Sequence, residues 1–414
     1  MSGKKLLGKL LRVKGFLVVW FELHERKREL FVGVKPHKTG CRCPHCDRRC
    51  EIVTILPECR EWRDMVVCGM KVVFFYAPKE ILCPTHGRVQ ESIPWADAHA
   101  RITYRLEYAI LVLSQMMVQK AAAQLLHLAK STLSDLLHRT ITRLREGHRI
   151  RGLRSIGVDE ISYCKGKKYA TIVYDLDRHC VVWVGKGKGR ETIDQFFLEA
   201  LSDGQRKAIT RASCDMSEAY MGAIKDHCPN AVLVLDHFHI TKALLAAVDE
   251  VRKEEWRNAD KADKKTFKGL RFLLFMHSSN RTKRHTRLIN KIRNSNRRIH
   301  RAWVLKDEFS EFWQYVYPKS AETFLKGWMT AALRSRLEPL RKFVETLKSH
   351  WEHVIAYIST PITNAVAEGL NRVIKIVKNR ASGFRTLDAF TDLIYLVVGD
   401  VDLPAQIPTR FRML

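Results

Sequence analysis

Acidic residues are scarce in this 414-residue chain: 44 Asp and Glu stand against 72 Lys and Arg, a formal net charge of +28 and a pI near 9.8. That deficit makes a polyanion the default partner. Long apolar runs are also missing. None approaches the roughly 20 residues that a bilayer-spanning helix needs, so a helical membrane protein is not expected. The basic opening MSGKKLLGKLLRVKG leads only into a short apolar run, Phe16–Phe21, which stops at Glu22 without a small-residue cleavage site. A secretory signal is therefore disfavoured, and the expectation is a soluble cytoplasmic protein acting at the nucleoid. A nucleotide-binding P-loop is absent too. Gly185–Arg190 (GKGKGR) is glycine-rich and basic but lacks that pattern, and reads as a strand-to-helix turn.

Cysteine, by contrast, is plentiful. There are 11, an odd number, and seven lie within positions 41–83. Such crowding suits metal binding in a reducing compartment better than a disulfide framework. Cys43-Pro-His-Cys46 is one knuckle and Cys83-Pro-Thr-His86 a second, and between them EWRDMVVCGMKVVFFYAPKEIL alternates like a β-hairpin that lets the two converge. The expected site is Cys43, Cys46, Cys83 and His86 around one tetrahedral structural Zn²⁺. Cys41, His45, Cys50 and Cys59 are spare ligands able to substitute, and Cys68 reads as a reduced core cysteine of the hairpin. Cys164, Cys180, Cys214 and Cys228 are scattered and read as structural.

A hydrophobic content of 46% excludes wholesale disorder, and the length calls for several cores. The pattern divides into an N-terminal hairpin region (1–40), a zinc-binding module (41–95), a helix-turn-helix DNA-binding domain (96–150), a first part of a catalytic core (151–240), a helical insertion (241–355), a second part of the core (356–400) and a C-terminal tail (401–414). In the third segment QKAAAQLL, the link HLAKS and TLSDLLHRTITRLR form the two helices, with Ser131 or Thr132 capping the second. Lys130, Ser131, Thr132, Ser134 and Arg139 are the positions placed to meet DNA; the plain alternative is an ordinary helical hairpin. In the insertion, residues 280–303 hold nine Lys and Arg and no acid. Arg293, Arg297 and Arg298 there can follow a DNA backbone, on a helix whose Leu288, Ile289 and Ile292 pack inward.

Three carboxylates stand out: Asp159 in SIGVDE, Asp215 in ASCDMSEAY and Glu368 in TNAVAEGLNRVIK. Asp159 follows a buried-strand pattern, Asp215 stands where an apolar segment gives way to a helical one, and Glu368 shares a helix face with Asn364, Asn371 or Arg372, and Lys375. Two strand-end acids and one helical acid suit a pair of Mg²⁺ ions, hard cations that take oxygen ligands and flank a phosphodiester displacement. Taken singly, each reads as a turn, a cap or a solvated side chain. The interval from 159 to 215 accommodates three strands, a helix and a fourth strand, the order of an RNase H-like fold. Asp236 in VLVLDHFH also follows a strand; with His237 and His239 it reads as structural or supporting. Glu160 should face away from Asp159.

At these residues the chain resembles the DDE transposases of bacterial insertion sequences, specifically the IS-L-three family. The resemblance spans nearly the whole chain and rests on an ordered set: CxxC then CPxHG, PWA, GVDE, DMSxxY, DHFH and NAVAEGLN. It implies that Asp159, Asp215 and Glu368 form the catalytic triad, binding Mg²⁺ or Mn²⁺, and that Lys375 matches a basic residue near the scissile phosphate. The implied fold is a multidomain α/β protein whose RNase H-like core is interrupted by a helical insertion. The implied activity is cleavage at the terminal inverted repeats of an element and joining of the 3′-hydroxyls to target DNA, by a homo-oligomer in a synaptic complex on double-stranded DNA. An RNase H-fold nuclease without strand transfer and a catalytically silent DNA-binding regulator are the competing functions.

Overall fold

The computed structural model describes residues 3–401 apart from 12–14, 38–40, 56–57, 98–99, 147–148, 165, 167, 262–263, 265–268, 361 and 363–364. Asn364 and nearly all of the 401–414 tail lie outside the described residues. The chain separates into two compact units, Met1–His148 with Ile374–Met413, and Arg149–Val373.

The first unit begins with helix α1 (Gly3–Leu11) and holds two four-stranded sheets. Strands β1 (Phe16–His24) and β2 (Glu29–Pro36) form the expected hairpin, closed through Arg28 at φ +52°. It does not stand alone. After β3 (Cys41–Arg42) and β4 (Arg49–Ile55) come β5 (Arg60–Val67) and β6 (Met70–Tyr76), and β2 pairs in parallel with β6 to give the order β1-β2-β6-β5. The β5–β6 turn is Cys68-Gly69, both at positive φ, as a two-residue hairpin with the native twist requires. Cys68 is therefore exposed at the turn rather than in a core. Trp62, Val32, Val72 and Phe74, all at 0% exposure, fill this sheet's core beside Trp95.

Strands β7 (Lys79–Cys83) and β8 (Gly87–Gln90) complete a separate antiparallel sheet, β3-β4-β7-β8. The zinc knuckles meet because β4 pairs with β7, Ile52 opposite Ile81. The β5–β6 hairpin between them belongs to the other sheet.

Helices α2 (Tyr104–Met116), α3 (Gln119–Leu125) and α4 (Lys130–Arg145) follow. Thr103 caps α2, accepting from Leu106 N, while its hydroxyl donates to the fully buried Asp64 of β5, which also pairs with Arg105. The α3–α4 turn passes through His127 at φ +51°. The cap of α4 is Ala129, with no side-chain hydrogen bond, because the helix starts at Lys130 and draws Ser131 and Thr132 into its first turn.

The second unit is built on a five-stranded mixed sheet. β9 (Ser155–Cys164), β10 (Lys168–Asp175) and β11 (Cys180–Lys186) form an antiparallel meander; β12 (Arg211–Cys214) and β13 (Val232–Leu235) add in parallel, giving β11-β10-β9-β12-β13. Helices α5 (Arg190–Gln195) and α6 (Asp203–Ala208) link β11 to β12, and α7 (Glu218–His227) links β12 to β13. A helical stretch follows: α8 (His237–Asn258), α9 (Leu270–Phe275), α10 (Lys283–Ser295), α11 (Arg297–Phe309), α12 (Pro318–Arg334), α13 (Glu338–Ser349) and α14 (Trp351–Ser359). These helices share one continuous core with the sheet, running from Ile150 to Ile358. Ile289 and Ile292 are buried as expected, whereas Leu288 is 42% exposed.

Helix α15 (Ala365–Arg380) carries the chain back to the first unit, where α16 (Leu387–Val398) packs on α4 and α2. Gln115 Nε2 donates to Leu396 O, His138 pairs with the buried Asp392 at 3.0 Å, and the Arg145 guanidinium lies 3.7 Å from the Tyr395 ring centre. The end of the 356–400 stretch thus packs with the helices of the first unit.

Candidate functional site

The sheet register aligns the acids of the second unit. Ser213 of β12 pairs in parallel with Gly157 of β9, so two residues further on Asp215 comes beside Asp159. Cys214 pairs with Leu235 of β13, so one residue on Asp236 flanks Asp215. Asp159 is not at a strand end: β9 continues to Cys164, while β12 stops at Cys214 and leaves that side of β9 open from about Asp159 onward. Burial pushes the Asp159 carboxyl up, and the neighbouring Asp215 adds to this; the Glu160 N–H, His239 and the Asn371 amide pull the other way.

Each acid has local partners. Asp159 Oδ1 accepts from Glu160 N, and Oδ2 from Asn371 Nδ2 of α15. Asp215 Oδ1 accepts from Ser217 N at 3.1 Å, a turn contact at the entry to α7. Asp236, 4% exposed, caps α8 through Phe238 N and lies 3.7 Å from His239 Nε2. Glu160 is half-buried with Lys188 at 3.8 Å, and burial raises its carboxyl. The Asp215 and Asp159 charges push it the same way, so alternation along the strand does not take it out of their electrostatic reach. Tyr220, the last residue of the DMSEAY segment, is buried against Thr171 Oγ1 at 3.1 Å; burial first, then the acids around it, push its hydroxyl up to about 12.

Glu368 lies in the first turn of α15 and is exposed, one turn before Asn371; Arg372 and Lys375 are also exposed. Ligand atoms of Asp159, Asp215 and Glu368 do not all fall within 4.8 Å of one another; among the described residues that closeness is met by Cys43, Cys46, Cys83 and His86. Nothing in the sequence marks Tyr174, and the helix-face pattern gives Asn371 no partner. A polar residue one turn from a helical acid was the available signal for Asn371.

The cysteine cluster fits zinc by its distances. A tetrahedral ion with bonds of about 2.3 Å to sulfur and about 2.05 Å to nitrogen sets S···S near ~3.8 Å and S···N near ~3.5 Å. Cys46 Sγ and Cys83 Sγ are 3.7 Å apart, and His86 Nδ1 is 3.6 Å from Cys83 Sγ and 3.7 Å from Cys43 Sγ. Burial would raise the Cys83 thiol, but hydrogen bonds from the His86 ring and the backbone N–H groups of Thr85 and His86 bring it down to about 5, favouring the thiolate a metal needs. Cys41 lies in the same small core but outside the ligand group: burial, then its hydrogen bond to Glu91, push its thiol up to about 12.

In the helical module Lys130, Ser131, Thr132 and Arg139 are exposed, while Ser134 is half-buried and donates to Gln119 Oε1 of α3 at 3.1 Å. In the insertion Arg293, Arg297 and Arg298 are exposed, but Arg298 is paired with Glu254 and Glu255. Among the described residues no helix is long and apolar enough to cross a membrane.

A helix-turn-helix module in one unit and a mixed sheet with acids aligned across its central strands in the other define an α/β protein built to act on DNA. Residues 156–394 match the ISL3 DDE profile described as "Transposase", and residues 91–141 match "Helix-turn-helix domain of transposase family ISL3". The transposase for insertion sequence element IS1001 of Bordetella parapertussis is 29% identical over 398 residues, covering 94% of this chain and 97% of that protein. The transposase for IS1557 of Mycobacterium tuberculosis is 25% identical over 381 residues, covering 86% of this chain and 85% of that protein. The chain belongs to the ISL3 family of insertion-sequence transposases.

Proposed function

We propose that the protein binds the terminal inverted repeats of its element, cleaves at their ends and joins the 3′-hydroxyls to target DNA. The observation that carries this reading is the strand register that sets Asp215 beside Asp159, with α15 and its Glu368 tied to Asp159 through Asn371. The strand order β11-β10-β9-β12-β13, three antiparallel and two parallel, supports an RNase H-like core, with residues 241–355 as its helical insertion.

Asp159, Asp215 and Glu368 hold two Mg²⁺ ions, with Mn²⁺ as a substitute. When bound, such a pair stabilises the attacking and leaving oxygens of the displaced phosphodiester. The acids supply the negative charge for that pair; Lys375, two turns after Glu368, meets a phosphate. Glu368 stands exposed in the first turn of α15, where it would complete the acid set that holds the metal pair. Lys130, Ser131, Thr132 and Arg139 read the repeat, Ser134 supports α4 through Gln119, and Arg293 and Arg297 hold the backbone. Cys43, Cys46, Cys83 and His86 bind a structural Zn²⁺. Two ends must be held at once, so the working form is a homo-oligomer.

Asp159→Asn and Glu368→Gln should abolish cleavage of an end-bearing duplex while leaving its binding largely intact, because each removes one metal-holding charge without removing bulk. Near wild-type cleavage by either variant removes that residue from the triad. Integration into a supercoiled target distinguishes a transposase from a nuclease that stops at hydrolysis, and absence of both reactions in the unsubstituted chain, with end binding intact, would favour a DNA-binding regulator.

A further inference from the structure

Asn371 is 6% exposed and is engaged at both ends of its side-chain amide. Its Oδ1 accepts the hydroxyl of Tyr174, which is itself at 0% exposure, and its Nδ2 donates to Asp159 Oδ2 at 2.5 Å. A carboxylate only accepts, so the amide has one satisfactory orientation: NH₂ toward Asp159, carbonyl toward the tyrosine. A buried asparagine held in this way does not turn over without leaving groups unpaired.

The strand register puts the tyrosine and the aspartate on one face. Asp159 pairs with Ile172 and Gly157 with Tyr174 across β9 and β10, so Tyr174 projects on the face that carries Asp159. A Cβ at residue 157 would come to 2.9 Å from Leu176 Cδ2 and 3.5 Å from Tyr174 Cδ2. Glycine at that position makes room for Leu176, while a Cβ there would sit in ordinary contact with the Tyr174 ring. Asp159 Oδ1 takes the Glu160 N–H, so each carboxylate oxygen has one fixed donor and retains acceptor capacity for a cation.

We propose that Asn371, locked by Tyr174, is a positioning residue that orients the Asp159 carboxylate for a divalent cation and ties the Glu368-bearing turn of α15 to β9. The inference rests on the reading of Asp159 as a metal-holding residue. Partners that orient a ligand typically change metal affinity by about 10–100-fold when removed. The tyrosine acts one step further out, through the amide.

Titration of the full zinc-loaded chain with Mn²⁺, followed by electron paramagnetic resonance without DNA, tests this directly. Asp159→Asn should lose the Mn²⁺ site, Asn371→Ala should weaken it by about tenfold or more, and Tyr174→Phe should weaken it less but in the same direction, with circular dichroism melts showing the unit still folded. If Asn371→Ala does not fold, Tyr174→Phe, which removes a single oxygen, carries the test. Wild-type Mn²⁺ affinity in folded Asn371→Ala or in Tyr174→Phe, with the site lost in Asp159→Asn, overturns the positioning role and leaves the metal reading intact. Wild-type affinity in Asp159→Asn overturns the metal reading itself.

Discussion

Cys41 and Cys43 are two positions apart, and both are buried, yet their chemistry differs. Cys43 has His86 Nδ1 at 3.7 Å and the His45 N–H on its sulfur. Cys41 is held as a neutral thiol against Glu91, and a thiol is not the form that binds zinc. Purified Cys41→Ser should therefore retain about one zinc per chain by elemental analysis, while Cys43→Ser should lose it. Equal loss in both would put Cys41 in the ligand set. The spacing of the knuckles already favoured Cys43, Cys46, Cys83 and His86. What spacing left open was the choice among the spare cysteines, since that depends on which sulfurs the β4–β7 pairing turns toward one another.

At the scale of elements, α4 and the α10–α11 pair are both basic but are set up for different tasks. Leu133, Leu136, Leu137 and Ile141 bury one side of α4 and leave Lys130 and Arg139 outward. Arg139→Ala should weaken binding to the terminal repeat by about 1–3 kcal/mol if its contact is bidentate, with much less effect on unrelated duplex. Arg293→Ala and Arg297→Ala should weaken all DNA alike and each lower the slope of log K against log salt by about 1. Arg298→Ala should change that slope less, because Glu254 and Glu255 already neutralise its guanidinium. Competition binding and salt titration check both sets; a loss of repeat preference confined to the insertion variants would move the reading head there. The helices themselves were legible as periodic stretches. Their caps and burdens were less so: α4 begins at Lys130 because the chain leaves the His127 turn in time to do so, and Ser134 is drawn to Gln119 by the packing of α3 on α4.

For the whole molecule, the two sheets of the first unit differ in what stabilises them. Among the described residues the sheet of the cysteine cluster buries Cys41, Cys43, Ile81 and Cys83 as its own core, with Cys50 and Val89 packed alongside. That is little apolar surface to offset the entropy of ordering four strands, so a metal ion held by the proposed Cys and His ligands would couple its binding to folding there. The neighbouring sheet has Trp62, Phe74, Val32, Val72 and Trp95. A strong chelator should therefore abolish hydrogen-exchange protection in β3, β4, β7 and β8 while β2, β5 and β6 keep theirs. Retained protection in the first group, or equal loss in both, would contradict this division.

The sequence by itself determined the local chemistry: the Cys and His knuckles, the paired helices, the strand before Asp159 and the order of the three acids. These depend on residues close in the chain, where spacing alone sets which side chains share a turn or a face. Tertiary structure alone decided the pairings across long separations. Asp159 meets Asn371 over 212 residues and His138 meets Asp392 over 254, and Asp215 lies beside Asp159 because β12 enters the sheet in parallel at one register. No periodicity encodes such a register, since it is set by how the helices on either side fill the space against the sheet. For the same reason the packing of α16 on α4 is not legible in the sequence, because the two helices are remote along the chain.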